Sequence, residues 1–259
     1  MNLRDALRLT AVPYLVVQAI SIGVPLMILG SLSAGAMGDF QVIEQGADGA
    51  QAVQMPENLG SFFMVQTLVL VGSIIAGAWL AVVWHRFVLL EEYPANTVPA
   101  FDASLVFRYV GKLIVIFLVM MGVALAGALV MALIGAIVPF VGALLAAGLA
   151  VVLIWASIRL SVMLPAAAIG YSMPVSEAWA KTEATQWSIF GATMLIVLLS
   201  VLVSIPAILL AALMTGGEAN AVSVPSIVIN VVFGWVLTML TVSLATTIYG
   251  VAVEGRELT

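Results

Sequence analysis

Long apolar runs alternate with short polar segments along the whole chain. A helix needs about 20 apolar residues to cross the hydrocarbon of a bilayer, and six runs meet that length: residues 11–36, 61–84, 113–137, 140–160, 188–214 and 226–252. Runs of this length with almost no charge are typical of transmembrane helices. The pattern predicts an all-α fold, a polytopic transmembrane helical bundle of six spans, with residues 1–259 forming a single integral membrane domain.

The third and fourth runs need an argument to separate them. Residues 113–158, between Lys112 and Arg159, form a stretch of 46 residues without one charge. As a single helix rising about 1.5 Å per residue they would extend roughly 69 Å, more than twice the hydrocarbon thickness. We therefore expect a helical hairpin, and Pro139 between two glycines, Gly135 and Gly142, predicts the position of its turn.

The first run has two interpretations. Arg4 and Arg8 precede it and small residues at 34–36 follow it, as in a secretory signal peptide. Its apolar core of roughly 20 residues is longer than the 7–15 residues of a signal peptide. We expect a retained span, with cleavage as the alternative.

Composition and charge distribution agree with the membrane prediction and add an orientation. Hydrophobic residues make up 64% of the chain and charged residues 8%, whereas a soluble domain carries about 25% charged residues. All basic residues fall on one side of a six-span layout: Arg4, Arg8, Arg86, Arg108, Lys112, Arg159, Lys181 and Arg256. By the positive-inside rule this side, which includes both termini, is predicted to be cytoplasmic. Most aromatic rings with a polar group collect there too, as in an interfacial belt.

The spans also show a pattern of three hairpins, each opening with an acid followed by a base. The openings are Asp5 to Arg8, Asp102 to Arg108 and Glu177 to Lys181. Two interpretations stay open: a true internal repeat, or the ordinary placement of Arg at helix ends. Residues 94–110 and 172–187 are predicted to be interfacial helices, with short linkers as the alternative.

Small residues at spacing four predict where the spans pack, because helices in lipid associate through close contact. The stripes are Ala124, Ala128, Ala132 and Ala136 in the third span, and Gly142, Ala146 and Ala150 in the fourth. We expect these two stripes to face each other in a tight hairpin.

Candidate chemistry lies at the predicted cytoplasmic interface. The spans carry no Asp, Glu, Lys or His at mid-depth, and the chain has no Cys, so proton relays and thiolate chemistry are not indicated. No metal site, cofactor motif or nucleic-acid motif is present. We predict no catalytic residue and no cofactor. The residues predicted to contact lipid headgroups or a partner are His85, Arg86, Arg159, Trp84, Trp155, Trp179 and Trp187. Arg86 and Arg159 could grip a lipid phosphate, or serve as anchors paired with Glu91, Glu92 or Glu177.

Two segments carry a family resemblance. Trp84 to Glu92 (WHRFVLLEE) resembles a segment of uncharacterised bacterial inner-membrane proteins, especially alphaproteobacterial ones. Arg159 to Trp187, with its LPAAA and EAW motifs, is similar to the six-span membrane domain attached to some glycerophosphodiester phosphodiesterases. The likeness covers about a third of the chain. It implies a bacterial inner-membrane setting and a six-helix fold, and no activity, since the phosphodiester chemistry of those proteins belongs to a separate soluble domain.

Three functional hypotheses follow, in order of preference. The first is a non-enzymatic membrane protein, an accessory or scaffold subunit that works through helix packing and through contacts with anionic phospholipid or other membrane proteins. The second is a transporter or channel for a small or apolar solute, which would need Gln18, Gln66, Asn230 and Thr241 to share a polar face. The third is a lipid-modifying enzyme, which would need His85 and nearby acids to converge.

Overall fold

All regular elements of the described chain are helices, which confirms the all-α prediction. The computed structural model describes residues 3–25, 59–93, 96, 98–214 and 224–256. Its elements are α1 (Leu3–Gln18) with a π-helical turn (Ala19–Gly23), α2 (Leu59–Leu90), α3 (Ala103–Gly135), α4 (Pro139–Leu160), α5 (Met163–Ala168), α6 (Val175–Lys181), α7 (Gln186–Met214) and α8 (Val224–Ala252).

Six helical segments are long and apolar enough to cross a membrane, as the sequence predicted. They are Ala6–Gly23, Phe63–Leu90, Ala103–Gly135, Pro139–Ala168, Gln186–Leu210 and Pro225–Ala252. The chain is therefore a multi-pass membrane protein. Residues 26–36, the second part of the predicted first span, lie outside the described residues.

The third span begins earlier than the sequence predicted. Residues 103–110 of the predicted interfacial helix over 94–110 belong to α3 itself, and the described residues 96 and 98–102 before them are not helical. The cause is Asp102, the residue immediately before the helix. Its backbone is extended, and its Oδ1 accepts a hydrogen bond from the Leu105 N–H at 3.1 Å. Such a cap satisfies a backbone donor that the first turn leaves unpaired. The other predicted connector helix, over 172–187, is confirmed as a short helix, α6.

The third and fourth spans form the expected hairpin. The turn occupies residues 136–138, and Pro139 opens α4 at a position where its missing N–H costs nothing. The two helices approach closely at Gly135 and Gly142, where a Cβ placed on Gly142 would lie 2.8 Å from the Gly135 Cα atom. Further along, Gly127 lies against the Leu149 side chain. Glycine at these positions is what permits the close contact.

The predicted packing stripes were only partly right. The half-buried positions in the second part of α3 include Ala124 and Gly127 with Met131 and Gly135, whereas Ala128, Ala132 and Ala136 are exposed. On α4, Gly142 is half-buried as predicted, but Leu145 and Leu149 share its face, and Ala146 and Ala150 are exposed. The two glycines set the register, because the helices approach most closely where no Cβ stands between them.

The chain divides into two compact units, Met1–Leu80 and Ala81–Thr259, with the boundary inside α2. Within the first unit, the hydroxyl groups of Ser21 and Ser73 are hydrogen-bonded at 2.9 Å. The second unit has a buried apolar core formed by the ends of α2, α4 and α8, by α5 and α6, and by the start of α7. Its members are Leu89, Leu160, Val162, Met163, Ala166, Met173, Ala178, Ile189, Ile248 and Tyr249.

The glycine contact in the hairpin makes a testable prediction. Gly142→Ala places a methyl group against backbone atoms of α3, so we expect a loss of about 1–3 kcal/mol in unfolding free energy. Gly148→Ala on the same helix is the matched control, because nothing lies within 4 Å of a Cβ at that position. Thermal unfolding of the two variants in detergent measures the difference. Equal melting temperatures would contradict the assigned register.

Candidate functional site

The basic residues of the second unit lie at one end of its helices. We call the basic end the region formed by residues 84–93, 98–112, 155–190 and 248–256. It contains the cations Arg86, Arg108, Lys112, Arg159, Lys181 and Arg256. At this end α2, α4 and α8 finish, α3 and α7 begin, and the short helices α5 and α6 lie between α4 and α7.

Three cations hold the segment between α5 and α6 by its backbone. Arg86 Nη1 donates to the Ala168 carbonyl at 3.4 Å, Arg108 Nη1 to the Gly170 carbonyl at 2.5 Å, and Lys112 Nζ to the Met173 carbonyl at 2.7 Å. Ala168 is the last residue of α5, so Arg86 satisfies a carbonyl that the helix end leaves without a partner, whereas Arg108 and Lys112 bind carbonyls of the segment that follows. A cation at a helix carboxyl end also interacts favourably with the helix dipole.

The same segment is fixed further by its own residues. Gly170 has φ +90°, a backbone conformation that side-chain-bearing residues rarely adopt. The hydroxyl group of the next residue, Tyr171, lies 2.7 and 2.9 Å from the two carboxylate oxygens of Glu177. Donation to this anion raises the pKa of Tyr171 above its ordinary value. Tyr171 therefore keeps its hydroxyl proton to a higher pH than an ordinary tyrosine does.

Arg256 donates to a backbone carbonyl at the end of α2 in the same way. Its Nη2 donates to the Leu89 carbonyl at 3.1 Å, and its Nε forms an ion pair with Glu254 at 2.6 Å. The residues after α8 thus fold back onto the end of α2. This contact joins two residues that are 167 positions apart in sequence.

Arg159, near the end of α4, is enclosed by protein. Only 3% of it is exposed. Its Nε donates to the Thr182 hydroxyl at 3.0 Å, its Nη1 to the Gln186 side-chain oxygen at 3.2 Å, and its Nη2 to the Trp179 carbonyl. The guanidinium carbon also lies 3.9 Å from the ring centroid of Trp179 and 5.0 Å from that of Trp155. A planar, weakly hydrated guanidinium suits such an aromatic and polar enclosure better than an ammonium group does.

Arg86 is paired at the surface. Its Nε and Nη2 donate to the two carboxylate oxygens of Glu92 at 2.8 and 2.6 Å, a bidentate arrangement. Between them, Glu91 has φ +56° immediately after the end of α2. The alternative in which Arg86 pairs with a nearby acid is therefore the one the structure contains.

His85 is fully buried beside Arg86. Its Nδ1 lies 2.7 Å from the Thr246 hydroxyl oxygen of α8, and its ring stacks on Tyr109 of α3 with centroids 5.8 Å apart. The Thr246 hydroxyl donates its one hydrogen to the Val242 carbonyl at 2.8 Å, so it must accept from His85. This assigns the neutral tautomer with hydrogen on Nδ1. The Nε2 lone pair is buried and has no hydrogen-bond partner among the described residues.

The predicted site residues fall into buried, half-buried and exposed groups, with Arg86 and Trp155 half-buried. Trp84, His85 and Arg159 are buried, and Trp155 packs edge-on against Trp179 at 5.1 Å. Trp179 and Trp187 are exposed, and 72% of Trp187 is accessible. Arg159 packs against the rings of both Trp155 and Trp179. Arg86 and His85 have other partners: Arg86 pairs with Glu92 and His85 with Thr246. Contact of these seven residues with headgroups or a partner stays a prediction.

Several residues of the basic end were not singled out by sequence reasoning. The sequence pattern uses Arg108 and Lys112 for orientation, and Arg108 also for the hairpin repeat, although their i, i+4 spacing already places them on one helix face. Thr182, Gln186 and Thr246 gave no signal, because a lone hydroxyl or amide is ordinary in a span. The acceptors for most cations are backbone carbonyls, which have no residue signature.

Within the described ranges, no three His, Asp or Glu side chains are grouped so as to hold a metal ion. Comparison of the chain with protein-family models, curated proteins and solved structures gives no match. The fold and the basic end define the class, a multi-pass α-helical membrane protein.

The His85 contact yields a second prediction. The chain has one histidine, so ¹⁵N labelling of histidine reports its ring alone, and we expect hydrogen on Nδ1 and not on Nε2. Thr246→Val leaves that N–H buried without an acceptor and should cost about 1–3 kcal/mol of unfolding free energy. Thr247→Val, at an exposed neighbouring position, is the control. A wild-type ring protonated on Nε2, or equal stability of the two variants, would refute the assignment.

Proposed function

We propose that the protein is a non-catalytic integral membrane protein of a bacterial inner membrane, with the basic end and both termini in the cytoplasm. In this proposal it acts as an accessory or scaffold subunit whose basic end contacts lipid headgroups and other membrane proteins. The bacterial setting is supported by the sequence resemblance of residues 84–92 and 159–187. The orientation is supported by the positive-inside rule.

The observation that carries the proposal is the fixed backbone of the basic end. Its connecting segments are held by side-chain donors from α2, α3 and α4, at Ala168, Gly170, Met173 and Trp179. A segment held in this way presents a constant surface. Binding to a constant surface loses little conformational entropy, which favours a role in docking.

Exposed aromatic side chains mark that surface. Tyr93, Phe101, Phe107, Trp179 and Trp187 are all exposed at the basic end. Tyr and Trp prefer the headgroup layer, and aromatic residues are also enriched in protein interfaces. The cations beneath them are mostly engaged with backbone carbonyls. Aromatic contact, more than free positive charge, is therefore the means of attachment we propose.

The alternatives raised by the sequence find less support. Asn230 and Thr241 donate to the Ser226 and Leu237 carbonyls of their own helix, which fits helix packing better than a polar pathway. His85 is bonded to Thr246 instead of to an acid, which is not the convergence that a lipid-modifying enzyme would need. A docking role requires neither arrangement.

Co-purification from the native membrane tests the proposal. We expect wild-type protein, extracted with its surrounding lipid by a polymer, to carry a partner protein or a distinct lipid complement, and Trp187→Ala to reduce it. Phe140→Ala is the matched control: Phe140 is 74% exposed and Trp187 72%, but Phe140 lies at the opposite end of α4 from the basic end. Protein isolated alone, in lipid identical to the bulk membrane, would contradict the proposal.

Cysteine labelling in membrane vesicles and spheroplasts tests the proposed orientation. The chain has no native cysteine, so Glu183→Cys at the basic end and Ile137→Cys at the hairpin turn are unique labelling positions. An impermeant maleimide should label position 183 only in inside-out vesicles and position 137 only in spheroplasts. The reverse pattern would place the basic end outside.

A further inference from the structure

Arg108 and Lys112 of α3 differ from the other anchored cations of the basic end in their charge balance. Among the described residues, the ion pairs are Arg86 with Glu92 and Arg256 with Glu254, and neither Arg108 nor Lys112 has a carboxylate partner. Arg159 also lacks one, but it is 3% exposed and its donors are directed to internal acceptors. Arg108 is exposed and Lys112 is partly exposed. Their positive charge is therefore uncompensated and accessible.

The two side chains are also held in place. They stand at i and i+4 on one face of α3, and their terminal nitrogens are fixed by the carbonyls of Gly170 and Met173. Each side chain donates one hydrogen to its carbonyl. Arg108 keeps four N–H groups and Lys112 keeps two for another acceptor. Gly111, one turn after Arg108 on the side away from Lys112, has nothing within 4 Å of where a Cβ would stand, so the space on that side of Arg108 is open.

In the described part of the chain, no carboxylate forms an ion pair with either cation. Asp102 caps the start of α3 through the Leu105 N–H. Glu177, the one acid in residues 168–181, accepts from the Tyr171 hydroxyl. Two fixed cations with free donors and open space fit a phosphate group, whose oxygens accept several charge-assisted hydrogen bonds at once.

We infer that Arg108 and Lys112 form a binding site for the phosphate group of an anionic phospholipid. Lys112 immediately precedes the 46 residues without charge, so the inferred site lies at the boundary between the charged and the uncharged part of α3. Exposed apolar residues of α3, Val115 and Leu118, continue from it and offer a surface for an acyl chain. The inference rests on the proposed lipid contact of the basic end. It moves the phosphate contact from Arg86 and Arg159 to another pair of residues.

Native mass spectrometry of the full chain with added phosphatidylglycerol or phosphatidylcholine tests this site. We expect wild type to retain phosphatidylglycerol preferentially, and Arg108→Gln/Lys112→Gln to lower that retention about tenfold or more. Glutamine removes the positive charge and stays polar, but its side chain is shorter than that of Arg or Lys, so the contacts with the Gly170 and Met173 carbonyls are weakened as well. Lys112→Arg should retain binding. An unchanged melting temperature of the double variant checks that the fold is intact.

Lys181→Gln is the charge-matched control. Lys181 is exposed at the same end, and no contact of its side chain within the described chain holds it in place. If Lys112→Gln and Lys181→Gln lower lipid retention equally, the attraction is diffuse and the site is refuted. Full retention by the double variant also refutes it. Displacement of the lipid by millimolar inorganic phosphate would support the phosphate site but overturn its assignment to a lipid.

The outcome is separable from that of the proposed function. If the double variant keeps its lipid while Trp187→Ala still loses its co-purified partner, the phosphate site fails and the docking role stands. If Trp187→Ala loses nothing while the double variant loses phosphatidylglycerol, the phosphate site stands and the docking role fails.

Discussion

Backbone carbonyls at the ends of helices need hydrogen-bond donors, and the basic end of this protein is built around that need. A helix leaves its last carbonyls without a partner inside the helix, and an unsatisfied polar group is costly near hydrocarbon. Here the donors are long cationic side chains. Arg86, Arg159 and Arg256 donate to carbonyls in the last turns of helices, and Arg108 and Lys112 donate to the connecting segment between two helices. Each contact cross-links two elements, so the ends of α2, α4 and α8 are tied to the segments between them.

This use of cations connects two properties that are usually treated separately. The asymmetry of Lys and Arg predicts orientation, and the same residues hold the basic end together. Their side chains are directed to backbone, whereas several acids, among them Glu91 and Glu183, are exposed. The proposed contacts with lipid or protein then depend on aromatic side chains and on the few cations without a counter-charge. The apolar helices beyond the basic end expose large hydrophobic residues along α3, α4 and α7, as expected of lipid-facing surfaces.

The sequence predicted well what depends on length and pattern, and poorly what depends on contacts between distant residues. The six spans and the turn at Pro139 followed from apolar run length and helix rise. The early start of α3 does not follow from apolar run length, because Arg108 and Lys112 interrupt the apolar pattern, although Asp102 offers a helix cap. The register of the hairpin depended on which glycines face each other, and alanine stripes of equal spacing obscured it. The enclosure of Arg159 by Thr182, Gln186 and two indoles could not be read from spacing, because it depends on how α6 folds back onto α4.

The stability of a charge-preserving substitution at Arg159 is the most direct test of this account. Arg159→Lys keeps the positive charge that sets orientation but loses the planar fork that reaches Thr182, Gln186 and the Trp179 carbonyl. Arg256→Lys is the matched control, since one hydrogen bond and one exposed ion pair can be remade by lysine. We expect thermal unfolding in detergent to show a loss of about 2 kcal/mol or more for Arg159→Lys and little change for Arg256→Lys. Equal stability of the two variants would contradict the claim that the geometry of these cations, and not only their charge, holds the basic end together.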